Sequence, residues 1–243
     1  IVNLIGCEPD EKVSAFISVK EFNDDHFVVM ATEKGIVKKT KLSAYSNPRK
    51  KGIYAVEIRD GDKLIEARVS TGDNDILLGT RNGKSIRFSE EQIRPSGRKT
   101  MGVKGITLSS EDDRLVGMLL IKREGTTVLV ATEKGFGKRT EISQYRAQKR
   151  GGKGVLTMKT TDKVGKMVTI KEVVDKDDLM IITNQGVLIR QPVSQIRAIG
   201  RATQGVKLIK LGEGTLVSSI TRIMSEEDSG DENNSTEPKG NTE

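Results

Sequence analysis

The feature that most constrains this chain is a fourfold internal repeat with a period of about fifty residues. Four segments share one template: VVMATEKGIVKKT from Val28, ILLGTRNGKSIRF from Ile76, VLVATEKGFGKRT from Val128 and MIITNQGVLIRQ from Met180. Each is an apolar run, then Thr-x-x-Gly, then a second strand-like run. The turn glycines Gly35, Gly83, Gly135 and Gly186 are spaced 48, 52 and 51 residues apart. The pairs Lys34-Gly35, Asn82-Gly83, Lys134-Gly135 and Gln185-Gly186 sit where a hairpin turns, and Asn-Gly is the strongest short-range signal for such a turn.

Two further anchors recur in register. Gly52, Gly102, Gly154 and Gly205 lie 17, 19, 19 and 19 residues after the turn glycines, and each leads into a strand-like stretch: IYAVEI, VKGITL, VLTMKT and VKLIKL. A charged turn with an apolar strand behind it closes each unit, with equivalent positions at Leu64, Leu115, Met167 and Leu216; the opening PDEKVSAFISV fits the same place at Val13. About four short strands per unit, with no helical periodicity, predict an all-β, propeller-like fold whose blades cannot bury their faces alone and so must stack. The expected organisation is a β domain over residues 1–224, with 1–26 as the end of a truncated blade and 27–74, 75–126, 127–177 and 178–224 as blades. With no Trp in the chain, the WD dipeptide and the kelch tryptophan are absent.

Charge is unevenly placed. The net charge is +7, but the segment 225–243 holds seven acids and one base, which leaves the body at +13. Such a body points to a polyanionic partner. The tail is acidic and poor in apolar residues, so it is expected to be disordered and to compete with that partner. Aromatics make up 3% of the chain, so the core must be aliphatic. The single Cys7 excludes an internal disulfide or a cysteine-based zinc site, and the single His26 removes most histidine-based catalysis. No run approaches the roughly 20 apolar residues of a membrane span, and Glu8, Asp10 and Glu11 interrupt the opening apolar run.

Between hairpin and second glycine each repeat carries a basic loop: SAYSNPRKKG, EEQIRPSGRKTMG, ISQYRAQKRGGKG and VSQIRAIGRATQG. The candidate DNA-binding residues are Arg49, Lys50, Lys51, Arg98, Lys99, Lys104, Arg146, Arg201 and the stretch Gln148, Lys149, Arg150, Gly151, Gly152, Lys153, Gly154, joined by Lys138 and Arg139 of the third hairpin. In a radial fold, positions that recur in register fall on one rim, and a continuous basic belt matches a duplex bent around the outside. The glycines of QKRGGKG would let backbone N–H groups approach phosphate. A single charged loop is ordinarily only a solvated face; four in register are not. No recognition helix or aromatic platform is present, so the contact is expected to be nearly sequence-independent. GGKG lacks the GxxxxGK[ST] order of a P-loop. Tyr145 is read as packing at a blade edge, as Tyr45 does, and Asp73-Asn74-Asp75 as a turn between blades. No catalytic constellation is evident.

QKRGGKG resembles the gyrase-A box, usually QRRGGKG, of the C-terminal domain family of the DNA gyrase A subunit. The two ATEKG hairpins, RATQGVKLIKL and the opening IVNL are also similar to that family, and the resemblance runs from residue 1 to about 224. It implies a β-pinwheel of six blades that exchange strands, wrapping duplex DNA on its rim in support of ATP-dependent negative supercoiling in the bacterial cytoplasm. Counted back from the acidic tail, this box lies in the penultimate blade, whereas the family's usually lies in the first. The resemblance also implies the gyrase B subunit as partner, in a heterotetramer formed through regions outside this chain. ATP and Mg2+ would act in those regions; no cofactor is expected in this one, and the cleaving tyrosine is not in it. Two alternatives stand beside this reading: the homologous A subunit of topoisomerase IV, whose boxes have decayed, and a propeller that scaffolds proteins, which would need an apolar, aromatic-rich face.

Overall fold

A computed structural model of the chain describes residues 13–49, 52–121 and 125–224. The acidic segment 225–243 lies outside the described residues. Four hairpins dominate: β1 (Phe27–Thr32) with β2 (Ile36–Lys41), β4 (Asp75–Thr80) with β5 (Lys84–Ser89), β8 (Thr127–Thr132) with β9 (Phe136–Glu141), and β12 (Asp178–Thr183) with β13 (Leu188–Pro192). Inner strands β3 (Leu64–Ser70), β7 (Leu115–Ile121), β11 (Met167–Val173) and β15 (Val217–Ile223) flank them, and β6 (Val103–Lys104), β10 (Val155–Leu156) and β14 (Val206–Lys207) are two-residue strands. A single 3-10 turn follows each hairpin, at Leu42–Tyr45, Glu90–Gln92, Ile142–Gln144 and Val193–Gln195.

The turn chemistry explains the recurring Thr-x-x-Gly. The N–H groups of Gly35, Gly83, Gly135 and Gly186 each donate to the carbonyl of the threonine three residues back, at 3.0 Å. All four glycines have φ between +78° and +81°, which a side chain would resist. In three turns the threonine hydroxyl also accepts from the residue after the glycine: Ile36, Lys84 and Val187, at 3.3, 3.4 and 3.1 Å.

The sheets run β3-β1-β2-β6, β10-β5-β4-β7, β11-β8-β9-β14 and β13-β12-β15. Repeat and sheet are therefore offset. The outermost strand of each of the first three sheets comes from the following repeat, which is the exchange of strands that the resemblance implied. The fourth sheet has three strands among the described residues. The stretch IYAVEI, by contrast, forms no strand, and Tyr54 is 74% exposed. No preceding hairpin among the described residues is there to pair with it. Residues 13–19 likewise form no strand, and Phe16 is exposed.

β4 and β8 are covered on both faces by neighbouring sheets, and β1 by the second sheet on one face and by Ile17, Val19, Ala55 and Val56 on the other, so all three read as continuous apolar runs rather than alternating ones. Largely aliphatic clusters, each of the first two holding one aromatic ring, fill the junctions: Val29, Ile76, Phe88 and Met118 between the first two sheets, Leu77, Leu119, Val128 and Tyr145 between the next two, and Leu129, Ile181, Val193 and Ile220 between the last two. Strands β3, β7, β11 and β15 contact one another in sequence along the hub. The exchanged strands and the loops that lead into them lie at the opposite, outer edge of the first three sheets.

Candidate nucleic-acid interface

The second, third and fourth basic loops are each laid along the outer edge of the preceding sheet by main-chain hydrogen bonds. Ser96 N–H donates to Lys39 O, Gln148 N–H to Arg87 O and Ile199 N–H to Arg139 O, at 2.9, 2.8 and 2.9 Å. The three donors occupy equivalent places, so the loops at 94–104, 146–154 and 197–207 repeat one geometry around the rim. In the box loop, Gly151 N–H donates to Gly105 O at 2.6 Å, Thr107 N–H donates to Gly152 O at 2.9 Å and the Thr107 hydroxyl donates to Gly151 O at 2.6 Å. Lys149 and Lys153 project from this frame into solvent. So do Arg49, Lys99, Lys104 and Arg146. Lys99 lies over the Tyr54 ring at 5.9 Å; the side chains of Lys149, Lys153, Lys104, Arg146 and Arg49 have no protein partner among the described residues. The result is a set of unneutralised cations on a stiff, bonded edge.

Comparison with known proteins places this arrangement. The family model described as DNA gyrase C-terminal domain, beta-propeller matches residues 26–71, 74–122, 126–173 and 177–223. The chain belongs to this family. Among curated relatives it is similar to the DNA gyrase A subunit of Staphylococcus epidermidis (strain ATCC 12228 / FDA PCI 1200), 45% identical over 94% of this chain and 26% of the relative. It is likewise similar to the DNA gyrase A subunit of Staphylococcus aureus (strain NCTC 8325 / PS 47), 44% identical over 100% of this chain and 27% of the relative. The chain thus spans about a quarter of the length of the curated relatives it matches. Among solved structures, the C-terminal domain of DNA topoisomerase IV superposes with a TM-score of 0.86 at 24% identity, covering 92% of this chain and 69% of that one. The DNA gyrase A C-terminal domain superposes with 0.81 at 23% identity, covering 91% and 74%. At these identities the superpositions establish the fold.

Within this gyrase-type propeller, not every candidate cation faces outward. Lys138 is fully buried and Arg139 nearly so, against the expectation that both belong to the belt. Lys138 Nζ donates to Gly200 O at 2.8 Å, to Arg201 O and to Thr203 Oγ1 at 3.1 Å. Lys38 does the same two junctions earlier, reaching Ala55 O at 2.7 Å and Arg98 O at 2.5 Å. These amines tie the next repeat's loop down from inside. Arg139 Nε donates to Ile196 O at 2.7 Å and its guanidinium pairs with Asp175. Arg87 occupies the same place in the second hairpin, pairing with Asp75 at 2.6 Å and donating to Ile142 O and Tyr145 O, each at 3.3 Å.

Arg98, Arg150 and Arg201 are half-buried and also turn back onto the protein. Arg98 Nη1 donates to Tyr54 O at 3.2 Å, Arg150 Nη1 to Lys104 O at 3.1 Å, and Arg201 Nη1 to Leu156 O. The box glycines serve the fold as well. The Gly151 N–H is held by Gly105 O rather than left free for phosphate, and a Cβ at Gly154 would lie 2.3 Å from Ser85 O. Gln148 is fixed through its own main chain, and Lys50 and Lys51 lie outside the described residues. Tyr145 is a packing residue as expected: it is buried, its hydroxyl meets Thr157 Oγ1 at 2.7 Å, and burial raises its pKa.

Burial, reinforced by Arg98, pushes the Lys38 amine down to about 8, and burial with Arg201 does the same for Lys138. The folded chain therefore binds fewer protons than the unfolded chain between about pH 8 and the ordinary lysine value of 10.5. Stability should rise as pH climbs into that window, with the deficit complete below it. Urea midpoints are expected to be higher near pH 9 than near pH 7, and Lys138→Met should shrink the rise. An equal rise in that variant would remove Lys138 as its source.

Proposed function

We propose that this chain binds duplex DNA through phosphate contacts along its rim, without reading base sequence, and wraps it as the C-terminal part of a gyrase A subunit. The wrap would support ATP-dependent negative supercoiling by a complex with the gyrase B subunit in the bacterial cytoplasm. The observation that carries the reading is the row of partnerless cations, Lys149 and Lys153 foremost, on rim loops of equivalent geometry in a chain of this family. Phosphate contacts by lysine release counterions, so affinity should fall steeply with salt at a rate set by the number of contacts. Nothing among the described rim residues reads base edges, so a random-sequence duplex is a sufficient ligand.

Two measurements test this. Relaxing a nicked-and-sealed plasmid in the presence of the chain should trap a shift in linking number, which simple coating of straight DNA would not do. In titrations at several salt concentrations, Lys149→Ala with Lys153→Ala should flatten the slope of log K against log[salt] by up to about 1.8, at roughly 0.9 per lost contact. An unchanged slope would remove the two lysines from the interface.

A further inference from the structure

The recurring glutamine of the 3-10 turns, Gln92 and Gln144, belongs to none of the roles described so far. Gln92 is exposed, uncharged and 58 residues from Arg150, yet it holds the box loop at several points. Its Oε1 accepts from Arg150 N–H at 2.9 Å, its Nε2 donates to Gln148 O at 3.2 Å, and its main-chain carbonyl accepts from Arg150 Nε at 2.9 Å. The other arm of the guanidinium reaches Lys104 O at 3.1 Å. Gln144 repeats the first contact one blade on, accepting from Arg201 N–H at 3.0 Å, while Arg201 reaches Leu156 O. The side-chain amide stands in for a missing rung of sheet. The fork of Arg150 spans two carbonyls of the preceding repeat, Gln92 O in the 3-10 turn and Lys104 O in β6.

We propose that Gln92 and Arg150 are positioning residues: together they clamp the box loop to the preceding blade, so that Lys149 and Lys153 carry the phosphate contacts and Arg150 does not. This rests on the rim being the DNA interface. The geometry supplies the reason. A guanidinium that donates through Nε and Nη1 to carbonyls on two sides is oriented along the protein surface, and its planar fork is what two fixed acceptors require. A lysine would supply the same charge at this place but from a single nitrogen, without the planar fork that meets these two acceptors through Nε and Nη1.

The experiment uses the whole chain and a random-sequence duplex, with amide hydrogen exchange measured in parallel. Gln92→Ala should weaken DNA binding by about three- to tenfold, the loss expected for one or two hydrogen bonds. The salt slope should stay unchanged, because no charge is removed. Exchange at the Arg150 amide should accelerate. Arg150→Lys keeps the charge and should behave in the same way. Lys149→Ala should flatten the slope by about 0.9 and leave exchange quiet. The clamp is overturned if Arg150→Lys binds like the parent, or if Arg150→Ala flattens the slope by about 0.9 with exchange unmoved. Should the parent chain itself fail to bind duplex, the proposed function falls, while faster exchange at Arg150 in Gln92→Ala would still support the clamp. Because Gln92 is exposed, thermal midpoints should barely move and so separate positioning from global unfolding.

Discussion

Gly154→Ala is expected to destabilise the chain by about 3–5 kcal/mol, and Gly52→Ala by only about 1–2 kcal/mol, although the two glycines are equivalent in the repeat. Both adopt positive φ, +67° at Gly154 and +75° at Gly52, so each alanine meets the same left-handed backbone strain. The difference lies in what passes beside them. Gly154 marks the point where the third repeat crosses onto the edge of the second hairpin, and a Cβ there would lie 2.3 Å from Ser85 O and 2.8 Å from Ser85 C. Those are backbone atoms of β5, which cannot swing aside as a flexible side chain would. Gly102 and Gly205 meet Val37 O and Gly137 O at 2.4 and 2.5 Å, so they should follow Gly154. A Cβ at Gly52 would meet no described residue within 4 Å beyond its chain neighbours. Urea denaturation of the four variants measures the costs directly. Equal costs at Gly52 and Gly154 would mean that φ strain alone explains these glycines and that the strand crossing has no energetic signature. Gly154→Ala should also weaken DNA binding at salt concentrations where the variant remains folded, since the loop bearing Lys149 and Lys153 is anchored at this crossing.

The repeat made much of this architecture legible in the sequence. Glycines that recur in register marked both the hairpin turns and the crossings, because a positive φ and a close backbone approach each demand glycine. The offset between repeat and sheet was not legible: a two-residue strand such as Val103–Lys104 has no pattern of its own, and its partner Ile36–Val37 lies more than sixty residues earlier. The direction of long cations was the other hidden element. Lys and Arg place a charge at the end of an apolar stem, so residue type alone does not say whether the stem runs outward or through the fold. One signal was nonetheless present. Lys38 and Lys138 share their repeat position with Ile86 and Ile189, and a position that takes isoleucine in one copy faces inward in the others. Similarly, Arg98, Arg150 and Arg201 are arginine in every copy in which the loop is bonded to a preceding sheet, as two-carbonyl recognition favours. Lys149 and Lys153 have no such constraint from the fold.

The junction between the first two blades offers the second large effect. Glu90 is fully buried in the turn after β5, and Lys39 of β2 is nearly so. The Lys39 amine lies 3.4 Å from Glu90 Oε1 and 3.3 Å from Glu90 O, and over the Phe27 ring at 4.8 Å. The carboxylate also accepts from the Ser70 hydroxyl and from Asn74 Nδ2, the latter at 3.4 Å. Glu90→Ala strips the counter-charge from a buried ammonium and leaves two donors short of an acceptor. The expected cost is about 3–5 kcal/mol, the range found when one member of a buried ion pair is removed. Glu90→Gln keeps an acceptor for Ser70 and should cost less. Lys39→Met should be damaging alone, but in the Glu90→Gln background the two costs should add to less than their sum, because each single change already breaks the same contact. A urea double-mutant cycle reads this coupling, and additive costs would show that the two charges do not depend on each other. The other junctions use a different device at the same repeat position: Arg87 and Arg139 hold the next turn through carbonyls and pair with Asp75 and Asp175. Those pairs are more exposed, with side-chain exposures of 24% and 26% for Arg87 and Asp75 and 75% for Asp175. Removing Asp75 or Asp175 should therefore cost well under what Glu90 does, since water can replace the lost carboxylate. The first junction is thus where a change at a buried charge should most readily separate two blades and, with them, two neighbouring stretches of the basic rim.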